Sequence, residues 1–325
     1  MKRSTAVVLF VSALALVLLS SCGPSGERRT SGLQVVTTLF PLYDFARNVG
    51  GDKAHVTLLL PPGVEPHGFE PRPRDILLVN RADIFIYTGS FMEPWAAAII
   101  KGVDAKKLVV VDASAGAMLR SETEDGPHHG DSHVHGGAAR AAGAGDGEEP
   151  VDPHIWLDLG NAQRMVDNIC AGFARSDPGN RQFYEKNATD YKARLAALDV
   201  RFRDGLSQCK TTVFVHGGHY AFNYLARRYH LTYVSAYGFT PDSEPSPKHL
   251  AEMVRTIREQ KAKYVFYEEL LQPRVAETLA RETGVGLLPL NGGHNVSAEE
   301  MKKGVTFISL LEQDLENLRV GLQCR

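Results

Sequence analysis

The chain has 325 residues, 43% of them hydrophobic, and 36 Lys and Arg against 38 Asp and Glu give a formal net charge of -2. That length supports two domains with real cores. The balanced charge, with no polybasic run and no RNA-binding signature, supplies no pull toward nucleic acid. Four cysteines with no C-x-x-C pair argue against a cysteine-built metal centre or a dithiol redox motif.

Lys2 and Arg3 precede an apolar run over 6–19, which ends at Leu19-Ser20-Ser21-Cys22. The run is shorter than the roughly 20 residues that cross a bilayer, so it reads as the core of an export signal. Small residues leading to a cysteine resemble a bacterial lipobox. The resemblance implies removal of 1–21, lipidation of Cys22 and a tether over 22–32 at the extracytoplasmic, periplasmic face of a membrane. A secreted protein with a chance cysteine is the other reading.

Strand-like and helix-like stretches then alternate: strand 33–39, helix 41–50, strand 54–60, helix 75–81, strand 84–88, helix 92–101 and strand 108–112. This order predicts an α/β architecture with a parallel sheet. Residues 121–150 break it, with seven glycines, several acids and no apolar cluster. The composition predicts a disordered insert, and it carries His128, His129, His133 and His135. The pattern returns with Ile155-Trp156-Leu157 and a helix over 161–174.

Residues 180–206 are the longest helical candidate, with Phe183, Ala188, Tyr191, Leu195, Leu198, Phe202 and Leu206 on one face. At about 1.5 Å per residue it extends roughly 40 Å, enough to run the depth of a two-domain molecule. A second set follows: strand 211–215, helix 221–229, strand 231–235, helix 247–260, strand 264–267, helix 274–283, strand 286–290 and a closing helix over 298–319. The expected organisation is an N-terminal lobe over 33–178, a rigid linking helix over 179–208 and a C-terminal lobe over 209–325. Cys170, Cys209 and Cys324 remain in the exported chain, and two of them can pair in an oxidising compartment. The sequence does not choose which.

Eight histidines lie outside the insert. His67 stands in a proline-stiffened loop, His154 in Asp152-Pro153-His154, His219 beyond Gly217-Gly218, and His294 beyond Gly292-Gly293. Loops at the carboxyl ends of parallel strands converge on one crevice. Four imidazoles, two from each half, match the donor count of a tetrahedral zinc ion held in the cleft between the lobes. His216 competes with His219 for the third place. His55, His230 and His249 have no supporting context.

These stretches also carry a likeness. Gly63-Val64-Glu65-Pro66-His67-Gly68-Phe69-Glu70-Pro71, Asp152-Pro153-His154-Ile155-Trp156-Leu157-Asp158 and His219-Tyr220-Ala221-Phe222-Asn223-Tyr224-Leu225 resemble the metal-ligand loops of periplasmic zinc and manganese ABC-transporter solute-binding proteins. Asp242-Ser243-Glu244-Pro245-Ser246-Pro247 is similar to another recurrent stretch of that family. The likeness runs from Val35 to the C-terminal helix and is nearest the zinc-uptake members.

The resemblance implies two α/β lobes bridged by a rigid helix, with His67, His154 and His219 as ligands. The fourth position is often a carboxylate in the family; here His294 stands there, with Glu268 and Glu269 as alternative ligands or hydrogen-bond partners of a ligand histidine. Imidazole favours zinc over manganese, which prefers oxygen donors. The expected role is capture of Zn2+ for an ABC-type permease, by a monomer that is not an enzyme. The insert histidines would chelate metal weakly beside the cleft. A manganese carrier is the nearest alternative. A zinc hydrolase and an adhesin with a structural metal are more distant; no H-E-x-x-H helix or nucleophile elbow supports the hydrolase.

Overall fold

The computed structural model describes residues 32–103, 107–121, 151–238, 245–268 and 273–325. The export signal, Cys22, the insert histidines His128, His129, His133 and His135, and Glu269 lie outside the described residues.

The first sheet is built from β1 (Leu33–Thr37), β2 (Ala54–Leu58), β3 (Ile84–Tyr87) and β4 (Val109–Asp112), ordered β2-β1-β3-β4. All its neighbours pair parallel, with Val35 opposite both Val56 and Ile84. Three helices cross between these strands: α1 (Phe40–Gly50), α2 (Pro73–Arg81) and α3 (Ala96–Gly102). The second sheet repeats the topology with β5 (Val213–His216), β6 (Thr232–Ser235), β7 (Tyr264–Glu268) and β8 (Gly286–Leu290), ordered β6-β5-β7-β8 and again wholly parallel. Two parallel-sheet lobes are therefore the architecture, and in each the strand ends face the loops that carry histidine.

Between the sheets in sequence stand α4 (Leu159–Ser176) and α5 (Arg181–Leu206). The long α5 buries Tyr184, Ala188, Tyr191, Leu195, Leu198, Phe202 and Leu206 at steps of three and four, the spacing that keeps one helical face inward. The inward face opens with Tyr184 rather than the expected Phe183, which is only partly buried. Helix α5 packs on α1, on α4 and on the last long helix, α10 (Phe307–Gly321). At that junction the buried Asp44 carboxylate accepts from the Tyr191 hydroxyl at 2.7 Å and the Phe307 amide at 3.2 Å, joining all three helices.

The remaining helices are α6 (Asn223–Arg228), α7 (Pro247–Glu259), α8 (Arg274–Thr283) and α9 (Ala298–Lys303). The closing helix expected over 298–319 is two helices. Gly304 ends α9 with a left-handed φ of 71°, and Thr306 then caps α10 by exchanging hydrogen bonds with Ser309. Periodicity bridged this break because Met301 and Val305 pack on the same core as Leu310 and Leu311. The helix expected from 92 starts only at Ala96: Pro94 lacks the amide that would continue a helix, and the Glu93 side chain turns back to accept from the Thr88 and Gly89 amides.

One apolar core runs through both lobes. It joins Val35 and Ile84 of the first sheet to Phe214, Phe266 and Leu290 of the second through Phe45, Phe173, Tyr191 and Phe202. A smaller cluster covers the outer face of each sheet. A disulfide joins Cys209 to Cys324, which leaves the buried Cys170 as the free thiol among the described residues. Among the described residues no helix is long and apolar enough to cross a membrane.

Candidate metal centre

His219 is placed by a tight turn beyond β5. Gly217 lies so close to Ala276 of α8 that a Cβ there would stand 2.6 Å from its backbone, and a Cβ on Gly218 would strike the His216 ring and the Glu268 carboxylate. Glu268 closes β7, and its Oε2 accepts from the His219 amide at 3.2 Å and lies 2.7 Å from His219 Nδ1. With the carboxylate as acceptor, Nδ1 carries the hydrogen and the Nε2 lone pair faces the cleft.

The same arrangement recurs in the first lobe. Asp152 Oδ1 accepts from the His154 amide at 3.0 Å and sits 2.8 Å from its Nδ1, again turning Nε2 inward. In the sequence Asp152 shows only as part of the Asp152-Pro153-His154 motif; a carboxylate two residues before a candidate ligand histidine is the signal of this task.

His67 arrives on a loop in which Pro61, Pro62 and Pro66 have no amide to donate. The Glu65 carboxylate gathers the next donors, from His67 at 3.1 Å and Gly68 at 3.0 Å. Its buried Nε2 has no hydrogen-bond partner. An orphaned acceptor or donor in such a place is costly, so the geometry asks for something to fill it. His294 follows β8 through Gly292 and Gly293, the latter at a left-handed φ of 73°. Trp156 sits beside both His154 and His294 and donates its indole hydrogen to the Gly292 carbonyl at 2.8 Å.

The structure brings His67, His154, His219 and His294 together, with one ring nitrogen of each within 4.8 Å of the others. The Nε2 of His219 is 3.1 Å from that of His154 and 3.4 Å from that of His294. Four nitrogens at about 2.0–2.1 Å from a tetrahedral ion stand roughly 3.3 Å apart, so the spacing fits zinc after small movements. Two donors come from each lobe, and all but His67 are buried. Glu268 does not join the donors: its Oε2 is occupied by His219, and its Oε1 stands 3.9 Å from His294 Nε2.

His216 is buried beneath the cluster, with Nδ1 3.2 Å from the Tyr233 hydroxyl, and is not one of the four. That hydroxyl donates to the His219 carbonyl at 2.8 Å, so the pair braces the turn from below. His55 and His230 are exposed, and His249 Nε2 lies 2.8 Å from the Ser235 carbonyl on the surface of the second lobe.

Burial lowers the basicity of three of the four imidazoles. His67 and His154 fall well below the ordinary histidine value, first through desolvation and then through the neighbouring imidazoles, and His294 falls to about 4 for the same reasons. His219 differs. Burial works against its charged form, but the charge of Glu268 and its hydrogen bond outweigh that and leave His219 above the ordinary value. Glu268 correspondingly lies below the usual carboxylate range, because His219 more than offsets its burial.

Gly292 offers a test of how tightly the fourth imidazole is held. A Cβ at that position would collide with the His294 ring, whose nitrogens both lie 3.0 Å away. Gly292→Ala is expected to weaken zinc binding by about tenfold with little loss of melting temperature, the size of effect that displaced supporting groups produce. Zinc titration beside a thermal melt checks it; an unchanged dissociation constant would place His294 outside the ion's reach.

The family model described as zinc-uptake complex component A, periplasmic, matches residues 35–321. The high-affinity zinc uptake system protein ZnuA of Bacillus subtilis is 36% identical over 319 residues, with 97% of each chain covered. The zinc-binding lipoprotein AdcA of Streptococcus pneumoniae is 34% identical over 317 residues, which are 96% of this chain and 60% of that longer protein. The crystal structure of the Zn(II)-bound ZnuA-like domain of that AdcA superposes with a TM-score of 0.72 at 33% identity, covering 90% of this chain and 99% of the domain.

Proposed function

The chain belongs to the zinc-uptake complex component A family, and from that premise we propose that it captures Zn2+ outside the cytoplasm and delivers it to an ABC-type importer. The observation that carries the reading is the convergence of four imidazole nitrogens from two lobes on one point. An all-nitrogen set suits zinc and disfavours manganese, which prefers carboxylate and carbonyl oxygens. His67, His154, His219 and His294 are the proposed ligands, and Asp152 and Glu268 hold two of them in the binding tautomer. Zinc is cargo here, so the protein is a carrier and not an enzyme. Glu268 is committed to His219, and a shell of four histidines keeps no position open for a reacting water.

The proposal includes the lobes as 33–178 and 209–325 with the linking helix over 179–208, a monomer in solution, and anchorage through lipid on Cys22. It also includes weak chelation by His128, His129, His133 and His135. The permease is the partner that receives the ion. Metal analysis of the purified chain after exposure to equal zinc and manganese tests the reading. One zinc per chain, removable by chelator with the fold intact, is expected; manganese occupancy, or unfolding on metal removal, would overturn it.

The dependence on pH follows from the individual imidazoles. Metal binding needs neutral imidazole, and His219 is the one of the four whose proton affinity is raised above the ordinary value, by the charge and hydrogen bond of Glu268. Zinc affinity is therefore expected to fall about tenfold per pH unit once the pH drops below the raised His219 value. It steepens only near the value of about 4 at His294. Four ordinary histidines would instead give a loss approaching the fourth power of proton concentration below about 6.5. Chelator competition between pH 8 and 5.5 separates the two slopes.

A further inference from the structure

The loop that presents His67 has few bonds of its own. Three of its seven residues from Pro61 to His67 are prolines without amides, and its internal backbone bond is a single turn, Val64 to Pro61 at 3.1 Å. Beyond that turn and the Glu65 carboxylate, which accepts from the His67 and Gly68 amides, its support comes from the other lobe. Asn295, fully buried, donates one amide hydrogen to the Pro61 carbonyl at 2.8 Å and the other to the Val64 carbonyl at 2.7 Å, while its Oδ1 accepts from the Val296 amide at 2.8 Å. Only one orientation of the amide satisfies all three partners, since the flipped form would set oxygen against two carbonyls. The Gly63 amide returns the link by donating to the Val296 carbonyl at 2.8 Å.

Resting on the zinc reading above, we infer that Asn295 is a positioning residue for the cation, acting through His67. It ties the turn that carries His67 to the segment that carries His294, so the two ligands are presented as a fixed pair across the cleft. The same segment is tied to the first lobe again where the Phe40 amide donates to the His294 carbonyl at 3.1 Å. The turn that carries His219 is bonded to Glu268 and Tyr233 of the second lobe, and the helix after it reaches the first lobe where the Tyr224 hydroxyl donates to the Asp152 carbonyl at 3.2 Å.

A double-mutant cycle on zinc affinity tests the inference, using full-length folded protein and a chelator competition read-out. Asn295→Ala is expected to weaken binding by about 10–100-fold, the range for lost supporting hydrogen bonds. In the His67→Ala background the same change is expected to add less than about twofold, because residues acting through one contact are not additive. Should Asn295→Ala fail to fold, the milder Asn295→Ser keeps a polar hydroxyl at the site while removing the paired amide donors to Pro61 and Val64, and the same cycle is run on it. Losses that multiply in the double variant, or that vanish only in a His294→Ala background, would overturn the role at His67. A melting shift with unchanged zinc affinity would do the same. An unchanged affinity in His67→Ala alone would remove the zinc reading itself, and this inference with it.

Discussion

His219→Ala is expected to weaken zinc binding by more than the about 10–100-fold that follows loss of a supporting hydrogen bond, because it removes a donor and disturbs two others. His219 is the imidazole through which the cluster is connected: its Nε2 approaches those of both His154 and His294. Its removal also strips Glu268 of the partner that lowers its pKa. A buried carboxylate left without its partner typically costs about 3–5 kcal/mol. The variant should therefore lose stability as well as affinity, and the two losses have different cures. His219→Ala combined with Glu268→Gln removes the stranded charge, so melting temperature should recover in large part while zinc affinity stays low. Calorimetric titration and thermal melts of the single and double variants check this. If His219→Ala binds zinc within tenfold of the parent chain, the four-imidazole site is wrong.

Replacing both Cys209 and Cys324 by serine should produce the largest change in stability with the smallest change in binding. The bridge spans 115 residues of sequence. Restricting the unfolded chain over so long a loop stabilises a protein by about 4–5 kcal/mol in the chain-entropy account, and by about 2–5 kcal/mol in typical measurements. For a chain of this size that is a fall in melting temperature of roughly 4–10 °C. The bridge is flanked by backbone hydrogen bonds from Lys210 to Leu322 and from Arg325 to Gln208, at the amino-terminal side of β5. His219 stands beyond the carboxyl end of that strand, so the zinc dissociation constant should hold within about twofold. A melting shift under about 2 °C would mean that these backbone contacts already fix the terminus without the covalent link.

The candidate site was legible in outline because its proposed donors are histidines beside glycine and proline, residue types whose chemistry and backbone preferences show in a linear sequence. The strand and helix alternation also showed, since each strand is a short apolar run and α5 keeps its buried face at helical spacing. What did not show depends on partners far apart in the chain. Asn295 reads as an ordinary loop residue until Pro61 and Val64 are brought to it from more than 230 positions away. Glu268 was ambiguous between ligand and support, and only the 2.7 Å approach to His219 Nδ1 gives it the supporting task. The choice among three cysteines was likewise a matter of proximity. The break between α9 and α10 was missed for the opposite reason: apolar residues on both sides of Gly304 serve the same core, so periodicity ran through a genuine interruption.

The apolar interior shared by both sheets sets the thermodynamic character of the whole molecule. Tyr191 and Phe202 of the linking helix belong to neither half alone, and parting the halves would bare side chains of α1, α4, α5 and α10 to water. The two lobes are consequently expected to melt as one cooperative unit, with a single calorimetric transition. The free energy of cargo binding, RT ln(1 + [Zn2+]/Kd), then protects every part of the molecule against denaturation, including helices that never approach the ion.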